Sequence, residues 1–198
     1  MRIFGVILAG GQGRRMGGQD KALMALAGQP LLAHVIARLE PQVERLVLSA
    51  NGDPARFARF GLPILPDALG AGPLAGVLAA LRWAAPLGAT AVLAAPVDGP
   101  FLPGDLCPRL CLAAENAAEG LAVAQAGGRL HPTYGLWPVG LAQPLAAFLG
   151  SGAKPKVMDF VAAHGAAEAC FSQSAGFENL NTPEDLARAE AALRGGRA

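Results

Sequence analysis

A chain of 198 residues, 53% of them hydrophobic, can bury a core of its own, which excludes a disordered polymer. A net charge of +1 with 16% charged residues excludes the broad basic field that holds nucleic acid or an anionic membrane surface. No apolar stretch approaches the ~20 residues that cross a bilayer, and no charged-then-apolar leader opens the sequence, so a cytoplasmic protein is expected.

Residues 3–8 form the first predicted strand, and it breaks at once into GGQGRRMGGQDK at residues 10–21. Glycines there let the backbone turn sharply and present N–H groups to an anion with no Cβ in the way. Arg14, Arg15 and Lys21 add positive charge at the mouth, which suits a polyphosphate. The loop is neither of two familiar phosphate motifs. Lys21 lies between Asp20 and Ala22, so there is no Gly-Lys-Ser/Thr triplet, and Gly11-Gln12-Gly13-Arg14-Arg15 runs into Met16 where a dinucleotide fingerprint has glycine.

A helix over 31–39 follows Pro30, and a strand over 46–49 leads to Asn51 and Asp53. A strand over 63–65 leads to Asp67, and Pro73 opens a helix over 74–83. The most apolar strand, 91–95, leads through Pro96 and Val97 to Asp98. Beyond it the spacing predicts a helix over 104–117, a strand over 121–124, and helices over 141–149, 156–164 and 183–193. Thr182 can cap the last helix, Pro183 fits its first position, and Glu184 and Asp185 oppose the positive end of its dipole. Continuous apolar strands alternating with helices predict an α/β fold, a mostly parallel sheet with helices on both faces. No repeat or linker divides the chain, so residues 1–198 are expected to form a single domain. In such sheets ligands collect at the carboxyl ends of the strands. Cys107, Cys111 and Cys170 lack zinc spacing and have no histidine nearby in sequence. They read as small buried hydrophobes in a reducing compartment rather than as catalytic thiols.

An enzyme acting on a nucleoside triphosphate has to hold a divalent cation, and Asp98 is the candidate ligand. Mg2+ takes one or two carboxylates together with waters and phosphate oxygens, so a lone strand-end aspartate suffices. The same residue, entering Gly99-Pro100, also reads as a turn former bonding its own backbone.

The blocks LAGG (8–11), RRMGGQDK (14–21), GQPLLAHV (28–35), GPLAG (72–76), PVDGPFLP (96–103), HP (131–132) and NTPEDLA (181–187) give the chain a resemblance. In content and order they are similar to those of bacterial molybdenum cofactor guanylyltransferases. The resemblance implies a three-layer Rossmann-like nucleotidyltransferase fold and transfer of GMP from GTP to the terminal phosphate of Mo-molybdopterin, with release of pyrophosphate. Such an in-line displacement needs positioning and charge neutralisation rather than a covalent nucleophile.

By the same resemblance Leu8, Ala9, Gly10 and Gly11 would contact the nucleotide, and Arg15 and Lys21 would face its triphosphate. Asn51 and Asp67 would fix the guanosine, and Asp98 would hold Mg2+. The N-terminal part would bind nucleotide, and the C-terminal third would receive the acceptor at His131, Lys154, Lys156, Asn179 and Asn181. Asn179 and Asn181 also read as organisers of the turn before the last helix, and Lys154 and Lys156 as solvated surface charge. Intact LAGG and GPLAG segments favour guanine over the related cytidylyl branch. Position 99 departs from the family, which usually has threonine there, and the missing hydroxyl puts support of the Asp98 carboxylate in doubt. No partner carboxylate stands out near the C-terminus, Asp159 being the one available. No heptad or long apolar seam stands out, so a monomer is expected, in transient contact with molybdenum cofactor synthesis proteins or molybdoenzyme chaperones. Two alternatives stay open: a nucleotidyltransferase for another acceptor, such as a sugar phosphate, and a GTP-binding carrier that does no chemistry.

Overall fold

The computed structural model describes residues 1–10, 20–66, 72–151 and 155–195. Its strands are β1 (Ile3–Leu8), β2 (Ala25–Leu26), β3 (Gln29–Pro30), β4 (Arg45–Ser49), β5 (Ile64–Leu65), β6 (Ala91–Pro96), β7 (Ala122–Ala126), β8 (Arg129–Pro138) and β9 (Ala167–Phe171). Its helices are α1 (Leu31–Leu39), α2 (Pro73–Ala84), α3 (Leu106–Ala114), α4 (Ala142–Leu149), α5 (Val157–Ala163) and α6 (Pro183–Arg194). A seven-stranded sheet runs in the order β5-β4-β1-β6-β8-β7-β9, with β2 and β3 forming a separate small hairpin. The pairs β4–β5, β1–β4, β1–β6 and β7–β9 are parallel, while β8 runs antiparallel to both β6 and β7.

Every residue of β1 is buried, because both faces of the sheet are covered. Side chains alternate along a strand, so Phe4, Val6 and Leu8 join one core with α2, α4 and α5, while Ile3 and Ile7 join the other with α1 and α3. A third, smaller cluster of Leu26, Leu31, Leu180 and Ala189 fastens α6 to the β2–β3 hairpin and the start of α1. Helix α6 begins with the expected cap. The Thr182 hydroxyl accepts from the Asp185 amide at 3.2 Å, and the Asp185 carboxylate accepts from the Thr182 amide at 2.9 Å.

The predicted elements are present within a few residues, but β8, β9 and the short β2–β3 hairpin are additions. RLHPTYGLWP hides a strand because Pro132 and Gly135 break the pattern. The structure shows how the proline is accommodated: Val123 pairs with Gly135 but Ala124 pairs with His131, so residues 132–134 bulge away from β7. Strand β9 lies at the sheet edge, where Cys170 is exposed, contrary to the expectation that all three cysteines are buried; Cys111 is half-buried.

Both glycines of GPLAG have architectural work. Gly72 precedes α2 at φ 72°, a left-handed value that a side chain would strain. A Cβ on Gly76 would meet Ser49 Oγ at 2.6 Å and Leu8 Cδ2 at 2.8 Å, so its absence lets α2 press against β1 and β4.

Candidate active site

Strand β1 lies between β4 and β6, and Leu8 is in register with Ser49 on one side and Pro96 on the other. The chain segments leaving these strands therefore emerge side by side at the point where the strand order reverses, the place where open α/β sheets bind ligands. Gly10, Asn51 and Asp98 all stand at this rim. The sheet extends slightly past β1: the Ala9 amide donates to the Ser49 carbonyl at 2.9 Å, and the Val97 amide donates to the Leu8 carbonyl at 3.0 Å. Those groups are engaged internally, and Leu8 is buried. A backbone contribution to a ligand falls to the Ala9 carbonyl and Gly10, where the chain becomes exposed.

Asp98 is the centre of the rim. Lys21 donates to its Oδ2 at 2.7 Å and to Asn181 Oδ1 at 2.6 Å, so one ammonium joins the segment after the glycine loop, the end of β6 and the turn before α6. The Leu180 amide donates to the Asp98 carbonyl at 2.8 Å, fixing that turn against the aspartate. The Lys21 and Asp98 side chains are only 15% and 18% exposed, so their attraction is screened less than a surface pair's. Asp98 Oδ1 is buried and has no hydrogen-bond partner among the described residues. An unpaired buried carboxylate oxygen is costly. It fits a divalent cation, which takes carboxylate oxygen together with phosphate oxygens and water. Among the described residues no group of three or more His, Cys, Asp or Glu gathers to hold a metal on protein ligands alone.

Two residues that sequence reasoning passed over hold this arrangement in shape. Arg56 donates to Asp20 Oδ2 at 2.6 Å, to the Asp53 carbonyl at 2.7 Å and to the Asn51 carbonyl at 2.5 Å. It thereby ties the residue before Lys21 to the loop after β4; its only sequence signal was a cation three positions past Asp53. Tyr134, in the β8 bulge, is the other. A Cβ built on Gly99 would lie 1.6 Å from the Tyr134 hydroxyl, so the phenol occupies the space that a side chain at position 99 would need. The glycine after Asp98 is therefore obligatory beside this tyrosine, and the departure noted at position 99 has a steric cause. Burial, and then the nearby Asp98 charge, push the Tyr134 phenol well above its ordinary pKa, so it stays protonated.

The predicted acceptor residues divide. Asn181 reaches the centre through Lys21, and its amide nitrogen donates to the Asn179 carbonyl at 3.4 Å. His131 stacks on Phe177 with ring centroids 5.0 Å apart, and Phe177 in turn packs edge-on to Tyr134 at 5.0 Å. Burial holds the His131 imidazole below its ordinary pKa. Lys156 is exposed as the residue before α5, whose core contacts lie on the face shared with α2 and α4. Asp159 is likewise exposed, in the first turn of α5. Gly11, Arg15, Asp67 and Lys154 lie outside the described residues. Beside the turn before α6 a cavity of about 650 Å³ is lined by Asn179, Leu180 and Asp185, with Arg38, Arg109 and Arg188 around it.

A glycine-rich sequence after β1, a strand-end aspartate with one oxygen unpartnered among the described residues, and a lysine beside it on a mostly parallel sheet fit a nucleotidyltransferase. Residues 5–168 match the family model described as MobA-like NTP transferase domain. A molybdenum cofactor guanylyltransferase of Cereibacter sphaeroides is 62% identical, with 98% of each chain covered. The chain belongs to the MobA-like NTP transferase family, among the molybdenum cofactor guanylyltransferases. The fold is that of solved relatives of low identity. Molybdopterin-guanine dinucleotide biosynthesis protein A from Archaeoglobus fulgidus superposes with a TM-score of 0.76 at 21% identity, covering 97% of this chain and 99% of its own. A Mycobacterium tuberculosis protein solved as a complex with manganese gives 0.71 at 19% identity, covering 97% and 100%.

Proposed function

We propose that this chain transfers GMP from GTP to the terminal phosphate of Mo-molybdopterin, forming the guanine dinucleotide cofactor and releasing pyrophosphate. The observation that carries this reading is Asp98. Its carboxylate stands beside the exit of the glycine strand, with one oxygen held by Lys21 and the other unpartnered among the described residues. The names borne by close relatives, guanylyltransferases of the molybdenum cofactor, support the choice of base and acceptor.

A divalent cation, Mg2+ in this reading, supplies charge neutralisation for the triphosphate when bound, with Asp98 as its protein ligand. The remaining work falls to the chain's own groups. Gly10 and Gly11 bring backbone close to the nucleotide, Asn51 and Asp67 hold the guanosine, and Arg15 stands at the triphosphate. Lys21 holds the Asp98 carboxylate in place, and its three N–H donors also let it turn toward phosphate oxygens. Asn181, bound to the same ammonium, links the acceptor side to the nucleotide side, so filling one subsite bears on the other. Asn179 and the arginine-edged cavity receive the anionic acceptor, with His131 beside them and Lys154 and Lys156 at the outer approach. Residues 1–198 act as one domain, the N-terminal part holding nucleotide and the C-terminal third the acceptor. The setting is the cytoplasm, and the protein works as a monomer in transient contact with the makers and recipients of the cofactor. Among the described residues no helix is long and apolar enough to cross a membrane.

The test is turnover and binding together. With Asp98→Asn, kcat is expected to fall at least about a hundredfold while GTP affinity in calorimetry changes far less, because the carboxylate acts chiefly as charge develops on the leaving group. Undiminished turnover in that variant excludes the assignment. Pyrophosphate release measured with GTP, CTP and ATP in the presence of Mo-molybdopterin tests the base, and faster release with CTP rejects the guanylyl reading.

A further inference from the structure

The Arg56 guanidinium places each of its three nitrogens on a different group of the rim. Nε donates to Asp20 Oδ2 at 2.6 Å, Nη1 to the Asp53 carbonyl at 2.7 Å and Nη2 to the Asn51 carbonyl at 2.5 Å. Room for it is built into the backbone. Gly52 has φ 85°, where a side chain would be strained, and a Cβ there would lie 3.0 Å from Nη1. The guanidinium also lies over Phe57, with Cζ 4.4 Å from the ring centroid, and that ring is 1% exposed in the core.

What this group holds is the turn that carries Lys21. Lys21–Leu23 form a single 3-10 turn capped by Asp20, whose Oδ1 accepts from the Ala22 amide at 3.1 Å while its Oδ2 accepts from Arg56. One oxygen therefore shapes the turn, and the other fixes the carboxylate to the loop after β4. The next residue, Lys21, directs its ammonium to Asp98 and Asn181. Hydrogen bonds thus run from the Asn51 backbone through Arg56 and Asp20 to the turn of Lys21. Stability alone does not account for the ion pair: its side chains are 27% and 26% exposed, and pairs so placed are typically worth little. Its geometry is specific, because a rigid planar fork reaches three acceptors at once and the single nitrogen of a lysine does not.

We propose that Arg56 is a positioning residue for Lys21, acting through Asp20: it anchors the turn that carries the ammonium to the loop that carries Asn51. The proposal rests on Lys21 as a nucleotide residue, and the experiment separates the two. GTP with Mg2+ is the calorimetric probe, applied to variants that urea denaturation shows to be folded, so that lost stability does not stand in for lost binding. Arg56→Met keeps the stem and removes the donors, while Arg56→Lys keeps the charge and removes the fork. Each is expected to weaken GTP binding by about tenfold, within the range over which members of one hydrogen-bond network couple. Asp20→Asn keeps an oxygen for the Ala22 amide but loses the ion pair; it is expected to match Arg56→Met and to add nothing on top of it. In the Lys21→Met background the Arg56→Met cost is expected to shrink to about twofold, because the group being positioned is gone. A full cost persisting there overturns the proposal, as does Arg56→Lys with unaltered affinity. If Lys21→Met weakens GTP while Arg56→Met does not, only the role of Arg56 falls. If Lys21→Met itself leaves GTP affinity unchanged, the reading of Lys21 as a nucleotide residue falls and takes the proposal with it.

Discussion

Lys21 shows how a residue's partners refine what its sequence position suggests. A lysine closing a glycine loop reads as a phosphate ligand, yet its ammonium here bridges Asp98 and Asn181, residues 77 and 160 positions away. The loop was visible in the sequence because glycines and cations cluster locally; the bridge was not, because nothing local announces a contact over such a separation. The same holds for Arg56 and Tyr134, whose importance comes from partners in other segments. Asp98 was legible because it ends an apolar strand, and Asn181 because it belongs to a block of the resembling family. His131 adds a titratable marker. Burial lowers its pKa below the ordinary 6.5, so the native state binds fewer protons than the unfolded chain between its lowered value and that figure. Stability therefore rises with pH through that window, and the penalty is complete below it and absent above. His131→Gln is expected to flatten this part of the profile, measured by urea denaturation at about pH 5 and about pH 7.5; an unchanged slope would assign the dependence elsewhere.

At the level of elements, α6 connects fold and site. Its capping carboxylate, Asp185, accepts from the Thr182 amide and also from the Asn181 amide at 2.8 Å, so one side chain starts the helix and holds the residue that meets Lys21. Asp185→Ala is expected to cost about 1 kcal/mol, the usual worth of a helix cap, measured by chemical denaturation. It is further expected to raise the KM for the acceptor more than that for GTP, since Asn181 is proposed to serve the acceptor side; equal changes would mean that the cap serves stability alone. The helices were the most legible elements, because their apolar periodicity and end signals are local. Strand β8 was the least: the bulge that brings Tyr134 against Gly99 interrupts the alternation by which a strand is recognised. GPLAG illustrates the opposite limit. The motif was conspicuous, yet Gly76 serves the close approach of α2 to β1 and β4, a packing duty that no motif reading separates from a binding one.

For the molecule as a whole, the class and layer order followed from continuous apolar strands alternating with helices, while the strand order β5-β4-β1-β6-β8-β7-β9 needed the coordinates, since pairing partners are set by long-range packing. Because the rim gathers groups from several segments, nucleotide bound there is linked to global stability. GTP with Mg2+ at about a hundred times its dissociation constant is expected to add about 2.7 kcal/mol to unfolding, seen as a rise in Tm; no shift at that saturation would mean that the nucleotide does not select the folded form. The contact between Lys21 and Asn181 also has a temporal side. A chain emerging from the ribosome can pair β1 with β4 and β6 long before residue 181 is made, so the central layer can form while the aspartate still lacks its closing turn. The bridge from Lys21 to Asn181 is thus among the last features of the rim to close during synthesis.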